Sequence, residues 1–191
     1  ATHAAPPTCD NRVVTTDAER AALIEQAEVE PKVHEAPPAV FHFSEDSTLR
    51  RFAPVVAPSN PSHPPAVWAV DDAHAPLYWF PRVVPRISVW ADDADQQARL
   101  TREFATEAHR ICAAESIWLD AIRSTRIYRY TFDAAQFAPC EHADGQYVAS
   151  DVVYPQEIDV IDDLVAAHVA AGVELRLTPR LGALTDAILV A

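Results

Sequence analysis

Glycine is the scarcest of the usual structure-setting residues in this chain: only three occur among 191 residues, at 145, 172 and 182. That alone excludes a glycine-rich phosphate loop and a dinucleotide-binding fingerprint, both of which need several closely spaced glycines to let backbone approach phosphate. No GxSxG and no HExxH segment occurs either, which removes the usual serine-hydrolase elbow and the zincin proteases. Three cysteines, Cys9, Cys112 and Cys140, form no CxxC pair and are odd in number. A disulfide framework is therefore not expected, and a reducing, cytoplasmic setting is. No run of about 18 apolar residues is present, so no membrane span is expected. The first residues lack the basic-then-apolar order of a secretory leader. Methionine is absent, and Lys32 is the sole lysine against a Lys+Arg total of 15, a bias expected of a GC-rich bacterial genome.

What is present points to an ordinary folded protein. Hydrophobic residues make up 49% of the chain and the formal net charge is −13. The composition allows a full core. The charge opposes general binding to nucleic acid or to an anionic membrane. Length and pattern predict residues 1–38 as a flexible tail and 39–191 as one α+β domain. The domain is expected to hold a compact mixed or antiparallel sheet of about five to seven strands, with one long and one or two shorter helices packed on it. In the tail, Thr16 and Glu19 fit a capping box for a short helix ending at Pro31.

Along the domain, strands are predicted over Val40–Ser44, Val67–Val70, Arg86–Trp90, Ile127–Phe132, Gln146–Val153 and Val173–Leu177. Short helices are predicted over 46–52 and at Pro76–Phe80, the latter with proline in its first turn. Pro54–Pro65 holds five prolines and reads as loop. The longest predicted helix runs from Asp93 to Arg123, because Phe104, Ala108, Ile111, Glu115, Trp118 and Ile122 recur in steps of three and four. A further helix is predicted from Pro155 to Ala171, stopped by Gly172.

Candidate chemistry concentrates between residues 41 and 90. His42 sits mid-strand between Phe41 and Phe43, either presented to a cleft or hydrogen-bonded at a sheet edge. Asp71, Asp72 and His74 follow the second strand, where an acid and an imidazole can serve as acid and base; the competing reading is an Asp-capped turn. Tyr78, Trp79 and Phe80 are three adjacent aromatics that cannot all enter one core, so one can stack on a flat ligand. Arg82 and Arg86 follow, each able to clamp a carboxylate or phosphate. Glu115, on the apolar stripe of the predicted long helix, is expected either to pair with an arginine or to face a cleft. His168, on the stripe formed by Ile158, Ile161, Leu164 and Val165, is expected to be a satisfied core histidine. Asp151 ends a late strand. Cys140 and His142 form a CxH pattern without further ligands.

Phe41-His42-Phe43-Ser44-Glu45-Asp46, Asn60-Pro61, Val67-Trp68-Ala69-Val70-Asp71 and the run from His74-Ala75-Pro76-Leu77-Tyr78-Trp79-Phe80-Pro81-Arg82 to Pro85-Arg86 resemble a bacterial family of small proteins of unknown function. The resemblance extends over roughly residues 40 to 184. The chain departs from the family pattern at Val83-Val84, where an Asp-Cys pair is typical, and at Gly182, near an expected tryptophan. The resemblance implies no activity. By looser fold-level analogy, a strand histidine, an aromatic after the second strand and a late acid follow the order of ADP-ribosyltransferase-like folds. Such a site would bind NAD as its cofactor through His42 and Tyr78, with Trp79, His74, Arg82 or Arg86 completing the nucleotide site. Asp151 or Glu115 would then stabilise developing positive charge. The alternatives are a non-catalytic module that binds a small molecule or a protein, and a metal-dependent hydrolase built on His42, Asp71 and His74.

Overall fold

A computed structural model describes residues 37–182 except 59, 60, 62, 141 and 142. The predicted tail helix lies outside the described residues. The chain forms an α+β fold with two sheets. The larger has six strands in the order β6-β7-β2-β1-β5-β8: β1 (Ala39–Ser44), β2 (Val67–Val70), β5 (Ile127–Asp133), β6 (Ala138–Pro139), β7 (Gln146–Ala149) and β8 (Glu157–Ile161). All its pairings are antiparallel. The smaller sheet has the order β3-β4-β9, from β3 (Arg86–Trp90), β4 (Arg110–Glu115) and β9 (Glu174–Thr178), with β4 and β9 parallel. Three α-helices are described: α1 (Ala94–Phe104), α2 (Leu119–Ser124) and α3 (Leu164–Ala170). None of the described helices is long and apolar enough to cross a membrane.

β1 shows how alternation builds the core. Val40 is fully buried and packs with Phe52, Val67 and Phe132, while Phe43, on the opposite face, packs against the second cluster around Leu77, Cys112 and Ile127. The strand therefore contributes to two apolar cores, one on each face. Phe52 anchors the first by edge-on contacts to Tyr130 and Phe132, with ring centroids 5.1 Å apart in each case.

Three predicted helices are corrected. The residues from 93 to 123 form helix, strand and helix. α1 ends at Phe104, Ala105 adopts a left-handed conformation with φ of 51°, and Thr106 accepts the Ala108 N–H at 3.0 Å. Beyond that break Ile111, Cys112, Ala113 and Ala114 are all buried. One face of a surface helix could not bury four consecutive side chains, whereas the central strand of a covered sheet does so naturally. Residues 46–52 form no helix, because the Asp46 carboxylate accepts both the Thr48 N–H at 2.7 Å and the Thr48 hydroxyl at 2.6 Å, closing a turn instead. Residues 155–171 likewise divide, into β8 and α3, since Glu-Ile-Asp-Val-Ile alternates along an edge strand.

The short α3 begins at Asp163, whose carboxylate accepts the Ala166 N–H at 2.9 Å. Asp163→Ala is expected to cost about 1 kcal/mol, the usual loss for an N-cap. Urea denaturation checks this: the midpoint should fall while the slope stays unchanged.

Candidate functional site

The 3-10 turn at Ala75–Tyr78 follows β2 and leads back into β3. Pro76 within the turn, and Pro81 and Pro85 in the segment between it and β3, restrict the backbone that carries the intervening side chains. At its entrance the Asp71 carboxylate accepts both the His74 backbone N–H at 2.8 Å and the His74 Nδ1–H at 2.7 Å. The turn reading of Asp71 and the acid–imidazole reading are thus one arrangement. The hydrogen bond to Asp71 holds the His74 imidazole above its ordinary 6.5, against the opposing effect of burial. Burial works to raise the Asp71 carboxyl, and the bonds from His74 more than reverse it, leaving it below the usual carboxylate range.

His74 is 7% exposed, and its Nε2 is buried with no hydrogen-bond partner among the described residues. Asp92 Oδ1 lies 3.9 Å from it, and Asp92 Oδ2 accepts the Trp90 indole N–H at 3.1 Å. Because Asp71 takes the Nδ1–H, the Nε2 of the neutral ring carries the lone pair. Gly145 closes the back of the imidazole. Its carbonyl accepts the Asp71 N–H at 2.9 Å, and a Cβ there would lie 2.0 Å from His74 Nδ1.

His74 lines a cavity of about 460 Å³ together with Tyr78, Arg86, Ser88, Trp90, Gln146 and one acid, the exposed Asp144. Arg86 projects into it from β3. Its Nε–H donates to the Leu77 carbonyl at 3.0 Å, and its guanidinium carbon lies 6.0 Å and 5.5 Å from the Tyr78 and Phe80 ring centroids. No carboxylate among the described residues pairs with it, although the chain carries 28 acidic residues. Burial disfavours the charged guanidinium, and the Leu77 carbonyl and the two ring faces compensate it only in part. Burial likewise pushes the Tyr78 phenol up, keeping it neutral. Behind the cavity wall, the buried Cys112 thiol sits 3.4 Å from Ser88 Oγ and is pushed up by burial.

The cavity collects His74, Tyr78 and Arg86. His42, Trp79, Arg82, Glu115 and Asp151 do not line it. His42 directs Nδ1 to the Trp68 carbonyl at 2.9 Å and packs on Phe52, with its pKa lowered by burial. Trp79 packs against His168 at 5.6 Å. Arg82 is exposed, and its backbone N–H donates to Glu45 at 2.7 Å. Glu115 ends β4, which corrects its placement on a helix, and its carboxylate accepts the Leu181 N–H at 3.1 Å; no arginine pairs with it among the described residues. Asp151 lies exposed between β7 and the Phe52–Val153 bridge. No group of three or more His, Cys, Asp or Glu side chains able to share an ion occurs among the described residues. His168 is the satisfied core histidine expected: it is fully buried, with Nδ1 2.6 Å from the Leu164 carbonyl and Nε2 3.1 Å from that of Pro76.

Sequence reasoning missed Ser88, Trp90, Asp92, Asp144, Gly145 and Gln146. A signal existed for two of them. With Ile87 and Val89 assigned to one face of β3, Ser88 and Trp90 fall beside Arg86 on the other. Nothing local marked Gly145, whose role depends on a ring brought from 71 residues earlier in the chain.

Comparison with curated proteins and with solved structures returned no match. Comparison with protein families did: the profile of a family of unknown function, DUF6886, covers residues 41–191, which is all of the cavity and both sheets but for the first two residues of β1, and the chain belongs to that family.

Proposed function

We propose that the cavity binds a small molecule carrying a carboxylate or phosphate, with Arg86 as its counter-charge and the Asp71–His74 pair as a group that exchanges a proton with it. The observation that carries this reading is the coincidence, at one cavity, of a cation without a counter-charge and a ring nitrogen without a hydrogen-bond partner. The Arg86 guanidinium has no carboxylate partner and His74 Nε2 has no hydrogen-bond partner among the described residues. A half-buried cation left unpaired in so acidic a chain is costly unless an anion completes it. Tyr78 adds an aromatic face beside the guanidinium.

A nucleotide fits this chemistry in part, with a phosphate on Arg86 and a ring on Tyr78. The ADP-ribosyltransferase-like reading needs more: an acid to stabilise developing positive charge. Neither Glu115 nor Asp151 lines the cavity, His42 is engaged elsewhere, and the one acid in the lining, Asp144, is solvent-exposed at its rim. The site therefore supports anion binding further than it supports NAD chemistry.

A thermal-shift titration with succinate, inorganic phosphate, AMP, ADP-ribose and NAD tests the proposal. At a hundredfold excess over Kd a ligand should stabilise the native protein by about 2.7 kcal/mol. Arg86→Gln should lower affinity about tenfold or more, the scale of a charge-assisted bond. Affinity should also weaken as pH rises through the raised His74 pKa, because the imidazolium is the form that attracts an anion. His74→Gln should flatten that dependence. Stabilisation by none of these anions, or a shift that Arg86→Gln leaves intact, would remove the reading. A shift confined to ADP-ribose and NAD would favour the nucleotide and call for an assay of nicotinamide release.

A further inference from the structure

β3 is an edge strand. β4 lies along one side, and no strand among the described residues lies along the other. The ladder determines which of its backbone groups face outward. The Ala91 N–H donates to the His109 carbonyl at 2.9 Å, continuing the register in which Trp90 opposes Arg110 and Val89 opposes Ile111. Bonded and non-bonded pairs alternate in an antiparallel ladder. Val89 and Ile87 therefore bond to β4, while Arg86, Ser88 and Trp90 turn their N–H and C=O groups to the open side. The next outward N–H, that of Asp92, is already taken by the Gln96 side chain at 2.8 Å. The outward groups of Ser88 and Trp90 have no partner among the described residues.

This open stretch separates two cavities. The Arg86 cavity lies on the face that carries Arg86, Ser88 and Trp90. A second, of about 330 Å³, lies toward α1, where Val89, Leu100 and Phe104 supply an apolar wall and Arg99 and Glu103 a polar one. Ser88 and Trp90 border both. Successive side chains of a strand point to opposite faces of its sheet. An extended chain laid against Ser88 and Trp90 would thus send its side chains alternately into one cavity and the other.

We propose that β3 binds an extended peptide by strand addition, with an acidic side chain of the peptide entering the Arg86 cavity and its apolar neighbours entering the α1 cavity. This inference rests on the anion-binding reading of Arg86 and adds the backbone edge and the second cavity to it. An acidic side chain is favoured over a terminal carboxylate because the Arg86 side chain lies on a face of the sheet, whereas a chain terminus would lie in its plane. A second copy of the protein is disfavoured by charge, since each chain carries −13 and brings another arginine, not an acid, to the edge.

The test is fluorescence anisotropy with the full chain and a dye-labelled, amidated peptide, Thr-Val-Leu-Glu-Leu-Val-Thr. Two further versions carry N-methyl groups at odd or at even positions. Only alternate N–H groups of an added strand face its neighbour. One version should therefore lose about tenfold or more in affinity and the other should bind like the parent. Arg86→Gln should weaken the parent peptide about tenfold and leave a Glu-to-Gln peptide unchanged. If both methylated versions bind like the parent while succinate still binds through Arg86, strand addition is overturned and the anion site stands. If neither peptide nor succinate binds, both fall. A dimer in sedimentation that the peptide does not dissociate would assign the edge to a second copy and overturn the proposal.

Discussion

Gly145→Ala is expected to lower stability by about 3 kcal/mol or more and to abolish anion binding in the Arg86 cavity. Two effects add. Gly145 has φ of +71°, a left-handed conformation that costs other L-residues about 1–2 kcal/mol. The alanine Cβ would also lie 2.0 Å from His74 Nδ1, 2.4 Å from Cγ and 2.6 Å from Cε1. The ring cannot slide away cheaply, since its Nδ1–H and the residue's own N–H both bond to Asp71. Moving it releases a partly buried carboxylate as well as the imidazole. Gly172 supplies an internal control. Its φ is +67°, but nothing lies within 4 Å of its would-be Cβ, so Gly172→Ala should cost only the conformational part. Urea midpoints of the two variants separate the effects. Equal losses would mean that Gly145 matters for its backbone alone and that the imidazole has room to move.

His168→Ala is expected to be comparably severe, at about 3–5 kcal/mol. The ring is fully buried between the Leu164 carbonyl of α3 and the Pro76 carbonyl of the 3-10 turn, and in its neutral form it donates its single N–H to one of them. It also supports the turn from below, with Trp79 and Phe80 centroids 5.6 Å and 4.8 Å away. Truncation leaves a cavity and at once strands the carbonyl oxygen that accepted the ring N–H. The pH dependence carries a second signature. Burial lowers the His168 pKa from 6.5, outweighing the opposing Leu164 and Pro76 carbonyls, with Arg86 adding a smaller push in the same direction, so the unfolded chain takes up a proton more readily than the folded one. The contribution of the neutral ring is then complete above pH 6.5 and is lost as pH falls from there through the folded pKa. His42 acts in the same direction. His74 acts oppositely, since its raised pKa makes its contribution fade as pH rises. Between about pH 7 and about pH 5, His168→Ala should therefore flatten the fall in stability, measured as the urea midpoint. An unaltered slope would show that His168 does not resist protonation in the folded protein.

The sheet that carries β1 and β2, and the edge strand β3, were legible because alternation and proline punctuation act locally. Val67–Val70 and Arg86–Trp90 are observed as predicted, and Val40–Ser44 differs by one residue. The run through Ile111 was not, because its three- and four-residue spacing is compatible with a helix while its continuous burial is a property of the assembled sheet. Glu115 inherited that error. In the cavity, His74, Tyr78 and Arg86 were visible as unusual neighbours in a single proline-bounded segment. Ser88 required only the strand's alternation. Gly145 and Gln146 arrive from β7 and its turn, and no pattern within their own segment points toward residue 74.

The parallel pairing of β4 with β9 has a consequence for biosynthesis. β4 ends at Glu115 and its partner begins at Glu174, so during translation β3 and β4 leave the ribosome well before the strand that completes their sheet. Until then the apolar Ile111–Ala114 run presents an open edge in the nascent chain. Closing it requires contacts distant in sequence, which slows folding and prolongs exposure to aggregation. Chains truncated before β9 should for this reason be cleared or precipitate even though every residue of the Arg86 cavity has already been made.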